Sequence, residues 1–127
     1  MKVIDAAAMI EVLRRTPKAA AIERLLDDDL FAPDLLITEV LHHFRFLVLG
    51  KTMSRVDATR VVEVFESADI EYVTVRPLTN RIWQLHSHVS AYDAAYIALA
   101  EELRCPLLTT DKRLSNAQEL ATTIITV

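Results

Sequence analysis

The chain has 127 residues, 52% of them apolar and 25% charged, a balance that predicts one globular domain over 1–127 and excludes a disordered chain. Its single cysteine, Cys105, excludes an internal disulfide framework and fits a reducing cytoplasm, and we expect neither a signal peptide nor a membrane span. The net charge of −4 argues against nucleic acid as a partner, unless bound divalent cations supply the positive charge.

The first half of the sequence predicts two short apolar strands and four helices. In chain order these are a strand over 1–4, helices over 6–15 and from Pro17 to the acidic run 27–29, a strand over 30–32, and helices over 34–49 and 54–68. Gly50, the only glycine, is expected to end the third helix as a C-terminal cap. Ser54-x-x-Asp57 has the form of a capping box that opens the fourth.

The second half predicts three more strands alternating with helices. These are a strand over 70–75, helices over 78–88 and 90–104, a strand over 107–109, a short helix opened by Asp111, and a closing strand over 122–127. Such alternation is typical of a parallel sheet with helices on both faces. Ligands of these sheets bind at the carboxyl ends of strands where the strand order reverses. Asp5 and Asp111 directly follow predicted strands, so that edge is the expected site.

Asp93 is the most informative residue, because it is the only charged side chain from Val89 to Ala100. A helix that is apolar nearly all round is normally buried, and an unpaired buried carboxylate is costly. One interpretation is structural, since Ser90-x-x-Asp93 has the spacing of a capping box. The other is functional. The two are compatible, because a first-turn carboxylate can also face a cleft.

Three further acids have structural alternatives of their own. Glu39 could pair with a protonated His43 one helical turn later or lie exposed on the surface. Asp5 and Asp111 could each cap the helix that follows. Together with Asp93, however, these acids stand on elements that a parallel fold can bring to one edge. Closely packed carboxylates repel one another, and hard cations such as Mg²⁺, which prefer oxygen ligands, relieve that repulsion.

Other chemistries find less support in the sequence. With one glycine there is no Gly-rich phosphate loop, and no late lysine completes a phosphoacceptor site. The histidines lack a zinc-binding pattern with a cysteine and are interpreted as surface or helix-end residues; they are His42, His43, His86 and His88. Trp83 and Leu85 are expected in the core rather than on a base-stacking platform. The basic pair Lys112–Arg113 is interpreted as a solvated helix face.

Several segments resemble PIN domains and, more narrowly, VapC-type toxins of bacterial and archaeal toxin–antitoxin pairs. The segments are Val3-Ile4-Asp5-Ala6, Ala32-Pro33-Asp34-Leu35 leading to Glu39-Val40, the block from Ala91 to Ala100, and Leu107-Leu108-Thr109-Thr110-Asp111. The resemblance covers essentially the whole chain, and the part from Asp93 to Asp111 is the most specific. It implies a three-layer α/β/α sandwich with a central parallel sheet of about five strands. It also implies a Mg²⁺- or Mn²⁺-dependent ribonuclease, a homodimer, and a cognate antitoxin that blocks the site.

By the same resemblance, the acidic quartet of the family falls on Asp5, Glu39, Asp93 and Asp111, and Thr109 matches its supporting hydroxyl. Ala7 stands where many members have Ser or Asn, and His42 where many have Asn. These departures bear on metal affinity or rate more than on the class of reaction. Our hypothesis is metal-assisted hydrolysis of RNA, with one or two metals. Asp5 and Asp93 are the expected direct ligands, while Glu39 and Asp111 bind through waters or orient the attacking water.

Two other functions remain open at this point. The chain could be a PIN nuclease of RNA processing or decay without an antitoxin, in which case no small antitoxin gene lies beside its own. It could also be an RNA-binding module that does not cleave, which would retain RNA without cutting it in Mn²⁺.

Overall fold

A computed structural model describes residues 1–26, 29–117 and 120–127, and these residues form five strands and six α-helices. In chain order the elements are β1 Lys2–Ile4, α1 Ala6–Leu13, α2 Ala19–Glu23, β2 Leu30–Pro33, α3 Leu35–Leu49, α4 Arg55–Glu66, β3 Ile70–Val73, a 3₁₀ turn Arg76–Leu78, α5 Thr79–Gln84, α6 Ala91–Leu103, β4 Leu107–Thr109, a 3₁₀ turn Leu114–Asn116, and β5 Ile124–Thr126. The order of strands and helices agrees with the order predicted from the sequence.

The strands form one parallel sheet in the order β3-β2-β1-β4-β5. β1 lies at the centre, where Val3 aligns with Phe31 of β2 on one side and with Leu107 of β4 on the other. The chain adds strands first to one side of β1 and then to the other. The strand order therefore reverses between β1 and β4, the position at which parallel sheets bind ligands beyond their strand ends.

The helices form a layer on each side of this sheet. α1 contacts α2, α3 and α4, whereas α6 contacts α5 and lies on β1, β2 and β4. Parallel crossovers are right-handed, so the two directions of sheet growth place these groups on opposite faces. The expected three-layer α/β/α sandwich with a five-stranded parallel sheet is confirmed.

The core is centred on β1, β4 and α6. Val3, Ile4, Leu107 and Leu108 are fully buried, as expected of central parallel strands covered on both faces. Every residue of α6 from 94 to 100 is buried as well, which explains why that helix is apolar nearly all round. Cys105, the single cysteine, is buried and packs in this core. No helix within the described ranges combines the length and the apolar character needed to span a bilayer.

The glycine that ends α3 differs from the prediction in one respect. Gly50 follows the last residue of the helix, but its φ of −78° is not left-handed; the left-handed residue is Lys51, with φ 57°. A Cβ added to Gly50 would lie 3.2 Å from the carbonyl oxygen of Phe46, a tight contact. Glycine therefore suits this position because of close packing against the last helical turn rather than because of a positive φ.

Some helix boundaries also differ. α2 ends at Glu23, before the acidic run expected to end it, and Asp27 and Asp28 of that run lie outside the described residues. The helix predicted over 78–88 is a 3₁₀ turn followed by the six-residue α5. After α5 the chain turns, with the backbone N–H of His86 bonded to the carbonyl of Trp83, and continues irregularly to Ser90. This α5–α6 turn, residues 85–90, borders the site described below.

Candidate active site

Asp5 lies directly after β1, at the edge where the strand order reverses. Its backbone is extended and its Oδ1 accepts the Ala8 N–H at 2.9 Å, so the predicted N-cap of α1 is confirmed. Its other carboxylate oxygen, Oδ2, accepts a hydrogen bond from the Thr109 hydroxyl. The side chain is only 5% exposed. Capping and a place in the site are thus compatible, because the two oxygens have different partners.

Thr109, the last residue of β4, connects two of the predicted site residues. Its buried hydroxyl donates to Asp5 and accepts the backbone N–H of Asp111 at 2.9 Å. One side chain thereby sets the rotamer of the acid after β1 and the path of the chain after β4. This geometry is what a supporting hydroxyl requires.

Asp93 lies in the first turn of α6 and is half-buried. Its backbone N–H donates to Ser90 Oγ at 3.1 Å, so Ser90 caps the helix as the sequence predicted. Burial raises the pKa of the Asp93 carboxyl, the Ser90 hydroxyl opposes this rise, and the negative charge of Asp111 adds to it. The cap is made by Ser90 and the Asp93 backbone, so the Asp93 carboxylate is not needed as the acceptor that holds the first turn.

Glu39 is held by a residue that the sequence interpretation did not single out. The hydroxyl of Tyr96, on α6, donates to Glu39 Oε1 at 2.7 Å. Glu39 is half-buried, and the carboxylate that acts on His43 is that of Glu11 rather than that of Glu39. Both structural alternatives for Glu39, an exposed surface position and a pair with protonated His43, are therefore wrong. A signal for Tyr96 was available, since a buried tyrosine hydroxyl in an apolar helix requires a hydrogen-bond partner.

Asp111 forms an ion pair with Arg113. Arg113 Nη2 lies 2.5 Å from Asp111 Oδ2, and its Nε lies 3.0 Å from Oδ1, which also accepts the Arg113 backbone N–H. These hydrogen bonds hold the pKa of the Asp111 carboxyl below its usual value. The short helix after Asp111 is a 3₁₀ turn that begins at Leu114, so Asp111 does not cap an α-helix as expected. Arg113 is exposed, as predicted, but it is not merely a solvated residue.

The structure brings the four predicted acids into electrostatic contact. Burial raises the pKa of Asp5 to about 6, against the bonds from Thr109 and Ala8, and the charges of Asp93 and Glu39 add to the rise. Burial and the charge of Asp93 also raise the pKa of Glu39, against the bond from Tyr96. The charge of Asp93 thus contributes to the raised pKa of both Asp5 and Glu39, and the charge of Asp111 contributes to the raised pKa of Asp93.

The donor set suits a hard divalent cation. Carboxylate oxygens that repel one another are stabilised by such an ion, which usually takes one or two carboxylates and completes its shell with water and phosphate oxygens. Among the residues that the structure describes, no three His, Cys, Asp or Glu side chains converge to chelate one ion. The arrangement therefore fits an ion held by one or two carboxylates, with water and phosphate oxygens completing its shell, rather than a closed protein cage.

Two clefts open beside the acids. One, of about 620 Å³, contains Glu39; its other lining residues are Leu35, Thr38, His42 and Tyr92. The other, of about 520 Å³, contains Asp93 and Arg113; its other lining residues are His86, Ser87, His88, Val89, Ser90 and Leu114. His42, one of the two departures from the family pattern, thus lines the cleft that contains Glu39. The exposed His86 and His88 agree with their predicted surface positions.

One aromatic prediction is wrong. Leu85 is fully buried as expected, but Trp83 is 68% exposed. Its ring stacks on that of His86, with 4.3 Å between centroids and 11° between planes. Leu78, Ile82 and Leu85, at the spacing of one helical face, are the residues that pack into the core here, and Trp83 lies away from that face.

An α/β/α protein with an acidic cluster at the switch point of its sheet is the class that these features define. The family model of the PIN domain matches residues 2–120, and the chain belongs to this family. Ribonuclease VapC12 of Mycobacterium tuberculosis is 36% identical over 118 residues, covering 92% of each chain. Ribonuclease VapC1 of the same organism is 38% identical over 121 residues, 93% of this chain and 91% of the relative.

The crystal structure of VapBC2 from Rickettsia felis, bound to a DNA fragment from their promoter, has a similar fold. Its matched chain superposes with a TM-score of 0.73 at 11% identity, covering 99% of this chain and 98% of that one. At this identity the likeness concerns the fold alone.

Proposed function

We propose that the chain is a metal-dependent endoribonuclease that hydrolyses RNA phosphodiester bonds, and that it acts as the toxin of a toxin–antitoxin pair. The observation that carries the proposal is the cluster of four carboxylates at the sheet's switch point, three of which have a raised pKa. The ribonuclease names of relatives that match over nine-tenths of the chain support it.

In this mechanism Asp5 and Asp93 would hold the ion. When bound, Mg²⁺ or Mn²⁺ would supply the positive charge that activates water and stabilises the developing charge on the phosphate. Thr109 fixes the Asp5 carboxylate by donating to Oδ2, which keeps Oδ1 on the Ala8 N–H. Tyr96 similarly fixes Glu39 through Oε1. The other Glu39 oxygen can then accept a proton or a hydrogen bond from water beside the scissile phosphate.

Metal dependence is the direct test of this activity. We expect purified protein to cleave single-stranded RNA in Mg²⁺ or Mn²⁺ and to stop in excess EDTA, because the carboxylates alone repel the phosphate. Gel analysis of end-labelled RNAs of varied sequence measures the cleavage, and added Mn²⁺ should restore it after chelation. Full cleavage in EDTA would rule out the mechanism, and no cleavage with either metal would favour a module that only binds RNA.

The partner follows from the charge of the site. A cation from another protein can silence carboxylates, and an arginine does so well because its planar fork pairs with them bidentately. We infer that an antitoxin segment places Arg or Lys among Asp5, Glu39, Asp93 and Asp111. Apolar side chains exposed on α3 offer further contacts for this segment or for the second copy of a homodimer; they are Ile37, Leu41, Phe46 and Leu49. Both the RNA substrate and a co-produced antitoxin call for a cytoplasmic protein.

Coexpression tests the toxin role. Expressed alone, the chain should arrest bacterial growth, and coexpression of the small gene beside its own should restore it. Growth curves with matched inducer levels measure the effect, and Asp93→Asn expressed alone is the control that should not arrest growth. Equal growth with and without the neighbouring gene, while active enzyme is present, would leave a nuclease that is not a toxin.

A further inference from the structure

We propose that the cleft at Asp93 and Arg113 is a binding site for nucleotides that flank the cleaved bond of a single-stranded RNA. Arg113 would contact a backbone phosphate, and the stacked Trp83–His86 pair would receive a base. The proposal rests on the proposed ribonuclease function and adds to it a location and two recognition elements.

Arg113 is positioned to serve both the acids and a phosphate. Its side chain is 83% exposed although it pairs with Asp111, and its charge also acts on Asp93. Because a phosphate, like a carboxylate, presents two oxygens that can accept from the guanidinium fork, the exposed Arg113 can pair with a backbone phosphate in place of Asp111. Arg113 therefore gives this cleft, in a chain of net charge −4, a cation next to the acids.

Trp83 gives the cleft a stacking element. A tryptophan that is 68% exposed leaves apolar surface uncovered that proteins usually bury. Its parallel stack on His86, 4.3 Å between centroids, joins it to the cleft, because His86 is one of the lining residues. Proteins that bind single strands combine a positive charge for the backbone with aromatic rings for the bases. The same combination lies here beside the predicted catalytic acids.

The first experiment uses Trp83 itself as the reporter, because it is the only tryptophan in the chain. A short single-stranded RNA is titrated into the wild-type protein in excess EDTA, and into the Asp93→Asn protein in Mn²⁺, with gels to verify that the RNA stays intact. Stacking of a base predicts saturable quenching of the tryptophan emission in at least one condition. RNA binding seen by anisotropy without any quenching in either condition would overturn the proposal.

The second experiment measures the affinity of variants for fluorescein-labelled RNA by anisotropy. Trp83→Leu should weaken binding about fivefold or more, whereas Trp83→Phe should retain most of it, because only the aromatic ring can stack. Arg113→Gln should weaken binding at low salt and reduce the salt dependence by about 0.7 in the slope of log affinity against log salt, as expected for one lost phosphate contact on a single strand. Arg60→Gln, an exposed arginine of α4 that lines a different cleft, is the matched control and should change neither quantity.

These outcomes separate the cleft from the reaction. If Trp83→Leu and Arg113→Gln both cleave RNA in Mn²⁺ and bind it with unchanged affinity, the proposed RNA-binding role of the cleft is wrong, while the proposed ribonuclease activity stands. If the wild type binds RNA and its tryptophan emission is quenched but no RNA is cleaved, the RNA-binding role of the cleft is supported and the ribonuclease activity is rejected. If Trp83→Leu changes the elution volume in size-exclusion chromatography but not RNA affinity, Trp83 faces a protein partner and the proposal is wrong.

Discussion

Asp93→Asn is expected to abolish RNA cleavage, by more than about 100-fold, while leaving the fold intact. Loss of a group that merely supports a ligand costs roughly 10- to 100-fold, and a predicted ligand should cost more. The fold should survive because the Asp93 backbone N–H and Ser90 Oγ form the cap of α6, and Asn preserves both. In metal-free buffer the variant should melt at a higher temperature than the wild type, because it removes one of the mutually repelling charges.

The chain contains its own matched control for this substitution. Asp57 occupies the same first-turn position of α4, and its N–H donates to Ser54 Oγ at 3.0 Å, as that of Asp93 does to Ser90. Asp57 is exposed, and it is not one of the four acids of the predicted site. Asp57→Asn should therefore leave both cleavage and the metal-free melting temperature nearly unchanged. Circular dichroism that shows an unfolded Asp93→Asn protein, with a folded Asp57→Asn protein, would instead assign Asp93 a structural role.

Two independent signals in the sequence pointed to three of the four acids. Asp5 and Asp111 follow apolar segments of strand length, and Asp93 interrupts a helix that is otherwise apolar. Each signal follows from the cost of burying charge, which makes an acid next to the core informative. Neither signal depends on the exact boundary of an element, so the boundary errors at α2 and α5 did not affect the prediction of these acids.

The contacts of these acids were harder to predict, because they join residues distant in the chain. Tyr96 and Glu39 are 57 positions apart, on helices that belong to different layers, and only the tertiary fold brings the two side chains together. His43 was the natural candidate for Glu39 on helical spacing alone, but it is partly buried and its pKa is lowered. Helical spacing predicts neighbours on one helix, whereas this hydrogen bond depends on the tertiary arrangement of two helices.

Arg113 and Trp83 illustrate a second limit. Basic residues after a strand usually lie on a solvated surface, and nothing in the sequence distinguishes Arg113 from Lys112. The distinction arises from the turn after β4, where Asp111 accepts both the backbone and the side-chain N–H groups of Arg113. Likewise, Trp83 lies outside the core because the helical turns bury Leu78, Ile82 and Leu85 instead.

Asp5 is expected to make the metal-free protein more stable as the pH falls from 7 toward 5. Its pKa is about 6 in the folded state against the ordinary value of 3.8, so the folded state binds more protons than the unfolded state between these values. Because the pKa of Asp5 is raised on folding, its contribution to stability is fully present below pH 3.8, the pKa of the unfolded state, and is lost as the pH rises through 6. By linkage the full loss is about 3 kcal/mol, of which about 1 kcal/mol returns between pH 7 and pH 5.

Asp5→Asn isolates this contribution. The side-chain oxygen of the substituted asparagine could still accept the Ala8 N–H, and its amide could still bond to Thr109, so the variant loses the titration but not the cap. Urea unfolding in EDTA at pH 5, 6 and 7 measures the free energy of unfolding. As the pH falls, this free energy should rise more steeply for the wild type than for the variant, because Asp93 and Glu39 titrate in both proteins and only the wild type also has Asp5. Mn²⁺ should compete with protons at Asp5 and therefore stabilise the wild type most at pH 7 and least at pH 5. Parallel pH profiles for the two proteins in EDTA would mean that Asp5 is not the group that titrates near pH 6.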